Sequence, residues 1–140
     1  GLAYDKEYVV RGTWTENEQH KWMFRDDTRT YAAEWAAIYN PYADKTKGQQ
    51  EYDWFRFDES GYMVTGWFTD VDGNRYYLTP VSDGTQGRMV TGWYWIDGMC
   101  YYFNPVSDGT RGAMKRNCEI DGYQLNADGI WVVNGVVQKK

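Results

Sequence analysis

Large apolar and polar side chains alternate along this chain in short runs, each closed by Gly, Asn or Asp. KWMFR (Lys21–Arg25), YDWFRFD (Tyr52–Asp58), RYYL (Arg75–Leu78) and MCYYF (Met99–Phe103) show the pattern. A period of two bounded by turn residues predicts half-buried β-strands. Paired across their turns, the runs predict hairpins: Trp14 with Lys21–Arg25, Tyr52–Asp58 with Tyr62–Trp67, WFTDV with RYYL, and WYWI with MCYYF. In VDGNR and IDGMC the Asp-Gly pair predicts a two-residue type I′ turn, which needs positive φ at both central positions. Asn134-Gly135 gives the same signal inside WVVNGVV.

One stretch reads two ways. YAAEWAAIY (Tyr31–Tyr39) has four Ala, a candidate N-cap in Thr30, and Tyr31, Trp35 and Tyr39 at helical spacing. It also fills the slot that VTGWFTDV fills one copy later, and on that ground it is assigned a strand. Asn40–Glu51, polar and carrying Pro41 and Gly48, is expected to be a long loop. Tyr8–Val10 is expected to be an edge strand or a join to a preceding domain.

The runs are copies of one another. GYMVTGW (Gly61–Trp67) returns as GRMVTGW (Gly87–Trp93), and YYLTPVSDGTQGRM (Tyr76–Met89) returns as YYFNPVSDGTRGAM (Tyr101–Met114). A period of about 25 residues means that each copy is a supersecondary unit that buries its apolar face only by stacking on its neighbours. The chain is therefore expected to be an all-β repeat protein: a lead-in over residues 1–11, hairpin repeats over 12–117, and a divergent capping unit with its tail over 118–140.

Composition sharpens this. Eight Trp, 13 Tyr and 5 Phe stand within only 42% hydrophobic residues. Rings with polar tips suit a thin structure in which every residue lies near water. The 15 Gly against 3 Pro favour tight turns. A formal charge of −5, with scattered basic residues, argues against nucleic acid and fits a cationic or neutral ligand. No apolar run approaches a membrane span. A start at Gly1 without Met suggests a piece of a longer chain. Cys100 and Cys118 read as free thiols, since neither a CxxC nor a His pair accompanies them. His20 lies in a polar turn, and Asp83 and Asp108 read as turn formers rather than calcium ligands. Met63, Met89 and Met114, each in a G-x-M context, read as core fillers. No nucleophile, acid–base pair or metal set is evident, so no enzymatic role, cofactor or metal is expected.

GYMVTGWFTDVDGNRYYL and GRMVTGWYWIDGMCYYF resemble the choline-binding, or cell-wall-binding, repeats of Gram-positive surface proteins. The likeness extends over about Gly12 to Trp131. It implies a left-handed solenoid of β-hairpins in which ligands sit in grooves between successive hairpins. The aromatic rings there hold a quaternary ammonium, which cannot donate a hydrogen bond. By resemblance, the site sets are Trp14 and Trp22 with Phe55; Trp35 and Trp54 with Tyr76; Trp67 and Tyr101, with Arg75 where a Trp would stand; and Trp93 with Cys100 in place of the Trp and Trp95 as the spare ring. Arg75 and Cys100 leave two sets incomplete, and each Trp of a GW pair reads equally as a wedge in a thin core. The function implied is attachment outside the cell to wall polymers, choline-bearing teichoic acid first. The alternatives are a glucan or other wall saccharide, and a structural spacer contacting another protein.

Overall fold

The computed structural model describes residues 8–140. Thirteen strands make up the described part: β1 (Val9–Val10), β2 (Thr13–Glu16), β3 (Trp22–Arg25), β4 (Glu34–Tyr39), β5 (Tyr52–Phe57), β6 (Gly66–Thr69), β7 (Arg75–Leu78), β8 (Gly92–Ile96), β9 (Met99–Phe103), β10 (Cys118–Ile120), β11 (Tyr123–Leu125), β12 (Trp131–Val133) and β13 (Val136–Val137). They pair as small sheets: β2–β3, β6–β7 and β8–β9 as two-stranded hairpins, β1–β4–β5, and β10–β11–β12–β13. The fold is all-β, as the alternation implies. Of the predicted lead-in, residues 1–7 lie outside the described part; β1 pairs in parallel with β4.

Two compact units form. Among the described residues, the first gathers residues 8–68 with Tyr77–Met89, and the second gathers Thr69–Tyr76 with Val90–Lys140. In the first, Phe24, Tyr31, Ala36, Ile38, Phe55 and Phe57 form a buried cluster against which Val10, Trp14 and Met63 pack. YAAEWAAIY supplies β4, as its place in the repeat predicts. The strand lies between β1 and β5 with Ala36, Ala37 and Ile38 buried, so tertiary pairing overrides alanine's helical preference. In the second unit Phe103 and Leu125 are buried at the ends of β9 and β11, and Tyr76 and Tyr101 lie inside.

Two sequence expectations need correction. Tyr62–Trp67 does not form a strand paired along Tyr52–Asp58; β5 pairs with β4, and only one bridge, Phe57 to Met63, joins the returning segment. The Met63 N–H instead donates to the carbonyl of Trp22, 2.8 Å away. The same bond recurs from Met89 to Trp54 at 2.9 Å within the first unit, and from Met114 to Arg75 at 2.7 Å within the second. The G-x-M segments are therefore couplers, each tying its own stretch to an earlier hairpin strand. Gly87 is required at its place because a Cβ there would lie 2.3 Å from the Met63 sulfur, and at Gly129 a Cβ would lie 2.5 Å from that of Met114.

The second correction concerns VDGNR. Asp97-Gly98, Asp121-Gly122 and Asn134-Gly135 all take positive φ at both positions, the type I′ pattern, whereas of Asp72-Gly73 only the glycine does. The Asp70 carboxylate is the reason: it accepts the N–H groups of Asp72 and Asn74, both at 2.9 Å, and holds a longer turn closed. Asn17, Asp58 and Asn126 close equivalent turns with the same pair of side-chain bonds. Asp83 and Asp108 likewise accept the N–H and hydroxyl of Thr85 and Thr110.

Candidate ligand-binding grooves

The second unit builds its groove on the short turn between β8 and β9. A two-residue turn at Asp97-Gly98 sets Ile96 opposite Met99 and so Trp95 directly opposite Cys100. Where the repeat pattern calls for a ring on β9, there is a thiol, and the ring is supplied by the facing strand. Trp93, Trp95 and Cys100 then line a groove of about 240 Å³ with Tyr123 of β11 and Trp131 of β12. The rings form an edge-to-face chain. Trp93 meets Tyr123 at 5.5 Å, Tyr123 meets Trp131 at 5.6 Å, and Trp131 meets Trp95 at 6.2 Å between centroids. Trp93 is backed by Tyr102 at 4.8 Å. The set that the sequence leaves incomplete is in fact four rings deep.

The sequence reading misses Tyr123 and Trp131, because the last unit has lost its GW and YY pairs and reads as a cap. Register gives no signal for the first of them: Tyr123 follows Asp121-Gly122 at the place Met99 takes after Asp97-Gly98, two positions ahead of the aromatic pair of β9. No side chain lining this groove carries a formal charge. Cys100 is buried, and burial pushes its thiol pKa upward, so it stays a neutral filler. A cation is nevertheless drawn to these rings: the Lys140 ammonium lies 5.4 Å from the centroid of Trp95.

The first unit holds a larger groove of about 530 Å³. Trp14, Trp22 and Phe55, a set expected from the sequence, line it together with Met63. Trp14 is the hub, 6.4 Å from Trp22 and 5.0 Å from both Phe24 and Phe55. Its wall and rim differ in kind from those of the smaller groove, because Asn40, Tyr42, Asp53, Ser82, Gln86 and Arg88 also line it.

The remaining expected residues line neither groove. Trp35 packs edge-on against Phe68 at 5.7 Å, and its cross-strand partner Arg56 holds a guanidinium 5.9 Å from the Trp35 ring and 4.5 Å from that of Phe68. A resident cation already faces this tryptophan. Trp54 is buried in the same unit, while Tyr76 belongs to the second, where its hydroxyl donates to Asp70 at 3.2 Å. Burial first, and then Asp70, push the Tyr76 pKa up to about 12. Trp67 packs on Tyr77 at 5.2 Å in the first unit; Tyr101, buried in the second, packs on Phe103 at 6.3 Å. Tyr76 and Tyr101 are thus the core members of their YY pairs.

Residues 65–80 and 91–105 match the cell wall binding repeat family. Through these repeats the chain belongs to that family, the class its hairpins and aromatic grooves define. Among solved structures it is similar to the modular Cpl-1 endolysin, crystallised with a peptidoglycan analogue, at 26% identity and a TM-score of 0.56 over 81% of this chain and 27% of that one. It is also similar to choline binding protein F of Streptococcus pneumoniae, at 29% identity and a TM-score of 0.51 over 87% of this chain and 40% of that one. The chain therefore spans well under half the length of either. No curated protein matches the sequence.

Proposed function

We propose that the chain is a non-catalytic module that attaches to cell-wall polymers at the cell surface by holding a quaternary ammonium, such as the choline of a teichoic acid, between Trp93, Trp95, Tyr123 and Trp131. The observation that carries this reading is the four-ring groove, mostly apolar and with no charged side chain in its lining. Such a surface offers a hydroxyl-rich ligand little, but offers a cation without donors several negative ring faces. Three or four ring contacts at roughly 1 kcal/mol each give a total near −4 kcal/mol, or a Kd of about 1 mM. The family match and the likeness to choline binding protein F support the same ligand. Any catalytic activity of a longer parent protein would belong to other domains.

The test is a choline titration of the whole chain, read by tryptophan fluorescence and repeated with Tyr123→Ala. Tyr123 is 48% exposed, so its removal spares the fold. Saturable millimolar binding weakened roughly fivefold or more in the variant supports the reading, as expected for the loss of one ring worth about 1 kcal/mol. An isotherm that Tyr123→Ala does not change removes it.

A further inference from the structure

Residues 138–140 (QKK), the segment after β13, are tied to both sides of the second unit's groove. The Gln138 N–H donates to the carbonyl of Trp131 at 3.1 Å, Lys139 bridges to Met99, and the Lys140 N–H donates to the carbonyl of Gly98 at 2.9 Å. Gln138 adds a side-chain bond, its Nε2 donating to the Val136 carbonyl at 2.9 Å. The segment thus passes from the strand that carries Trp131 to the turn that sets Trp95 opposite Cys100. At Lys140 the tie is made by main-chain atoms, so the path is fixed whatever side chain stands there.

That path delivers a cation to a groove ring. The Lys140 ammonium lies 5.4 Å from the Trp95 centroid, within reach of a cation–π contact. Among the described residues no carboxylate forms an ion pair with it. Its charge is also felt across the hairpin at Cys100, where burial raises the thiol pKa and the Lys140 charge partly offsets the rise. Of the five residues lining the groove, Trp95 and Cys100 therefore meet an ammonium before any ligand arrives. Arg56 stands against Trp35 and Phe68 in the first unit as a half-buried, built-in cation. Lys140 is exposed, so its side chain can swing into water at little cost in packing.

We infer that Lys140 is a tethered competitor at this groove, its ammonium holding the Trp95 end until an external ammonium displaces it. The inference rests on the ammonium reading of the groove. A short tether presents its end at an effective concentration in the millimolar range, and the external ligand's dissociation constant falls in the same range. The two are matched, so the competition is measurable: half occupancy by Lys140 weakens the apparent affinity about twofold, and firmer seating weakens it further. A free ammonium compound well below millimolar concentration leaves Lys140 in place, while a polymer crowded with the group displaces it.

The test is a choline titration of the whole chain and of its Lys140→Gln, Lys140→Arg and Lys139→Gln variants, with the Lys140 ε-methylene signal followed by NMR. The apparent Kd is expected to be roughly two- to fivefold lower in Lys140→Gln. It should stay at the wild-type value in Lys140→Arg, which keeps a cation on the ring, and in Lys139→Gln, which removes the same charge one residue away. In the free protein the Trp95 ring current should hold the ε-methylene signal upfield, and saturating choline should return it to the position of a solvated lysine. An unchanged or higher Kd in Lys140→Gln overturns the inference. So does an equal gain in Lys139→Gln, which marks a general charge effect, or an ε-methylene signal that choline leaves in place. Failure of the ammonium reading shows up separately, in a choline isotherm that Tyr123→Ala does not change; if no variant binds choline, both fall.

Discussion

The two grooves use the same residue types for opposite ends. In the first unit Trp14 stands at the centre of the core, touching Phe24, Phe55 and Phe57 as well as Trp22, so the groove's floor is also the unit's structural middle. In the second, Tyr123 and Trp131 lie on a sheet outside the buried centre and meet mainly other groove rings. A tryptophan count therefore says little about ligands. What decides is whether a ring's other face is occupied by core.

That contrast can be broken by mutation. Trp14→Ala removes a ring packed on three core phenylalanines and is expected to lower the stability of the first unit by about 3–5 kcal/mol in a denaturant titration. A loss under 1 kcal/mol would mean that this ring serves the ligand alone. Cys100→Trp restores the residue type the repeat pattern calls for, but Trp95 already fills the space opposite. Overpacking is expected to destabilise the second unit by about 1–3 kcal/mol, and a compensating Trp95→Thr in the same chain should recover most of it. Additive losses in the double variant would show that the two rings do not share one space.

The smallest effect is shared by both units. Each carries a buried tyrosine bonded to an aspartate: Tyr31 to Asp26 at 2.7 Å, and Tyr76 to Asp70 at 3.2 Å. Burial first, then the aspartate, push both phenols up to about 12. The folded state favours the neutral form, so the stabilisation is complete below the ordinary tyrosine value near 10 and is lost as pH rises toward about 12. Tyrosinate absorbance should show Tyr31 and Tyr76 titrating late in the folded chain, together with Tyr101, which burial also pushes upward, and Asp26→Asn should bring Tyr31 earlier while leaving Tyr76 in place. Simultaneous shifts of both would contradict the assignment.

Most of the fold was legible because the repeat and its turns state the same thing twice. Positive φ at Asp97-Gly98 and Asn134-Gly135 follows directly from the residue pair. The exception at Asp72-Gly73 arises from Asp70, two residues upstream, whose side chain competes for the same N–H groups. The G-x-M segments looked like strands because their pattern is strand-like, yet the methionine N–H of each is committed to a distant carbonyl, and local periodicity does not report that. For the site, Trp14, Trp22 and Phe55 were readable through the family resemblance. Trp95 could be recognised as a replacement only through cross-strand register. Tyr123 and Trp131 were hidden by decay of the motif around them, while Trp35 kept its motif and took a neighbouring arginine as its partner.

The couplers have one more consequence. Met63, Met89 and Met114 bond to the carbonyls of Trp22, Trp54 and Arg75, and the bond involves only main-chain atoms of those three residues. The joint within each unit is therefore blind to the side chain at the position where the family resemblance places a ligand ring. Selection can rewrite that side chain, from tryptophan to arginine, without disturbing assembly. Scaffold and specificity are inherited separately, which gives such an array a way to acquire new ligands one repeat at a time.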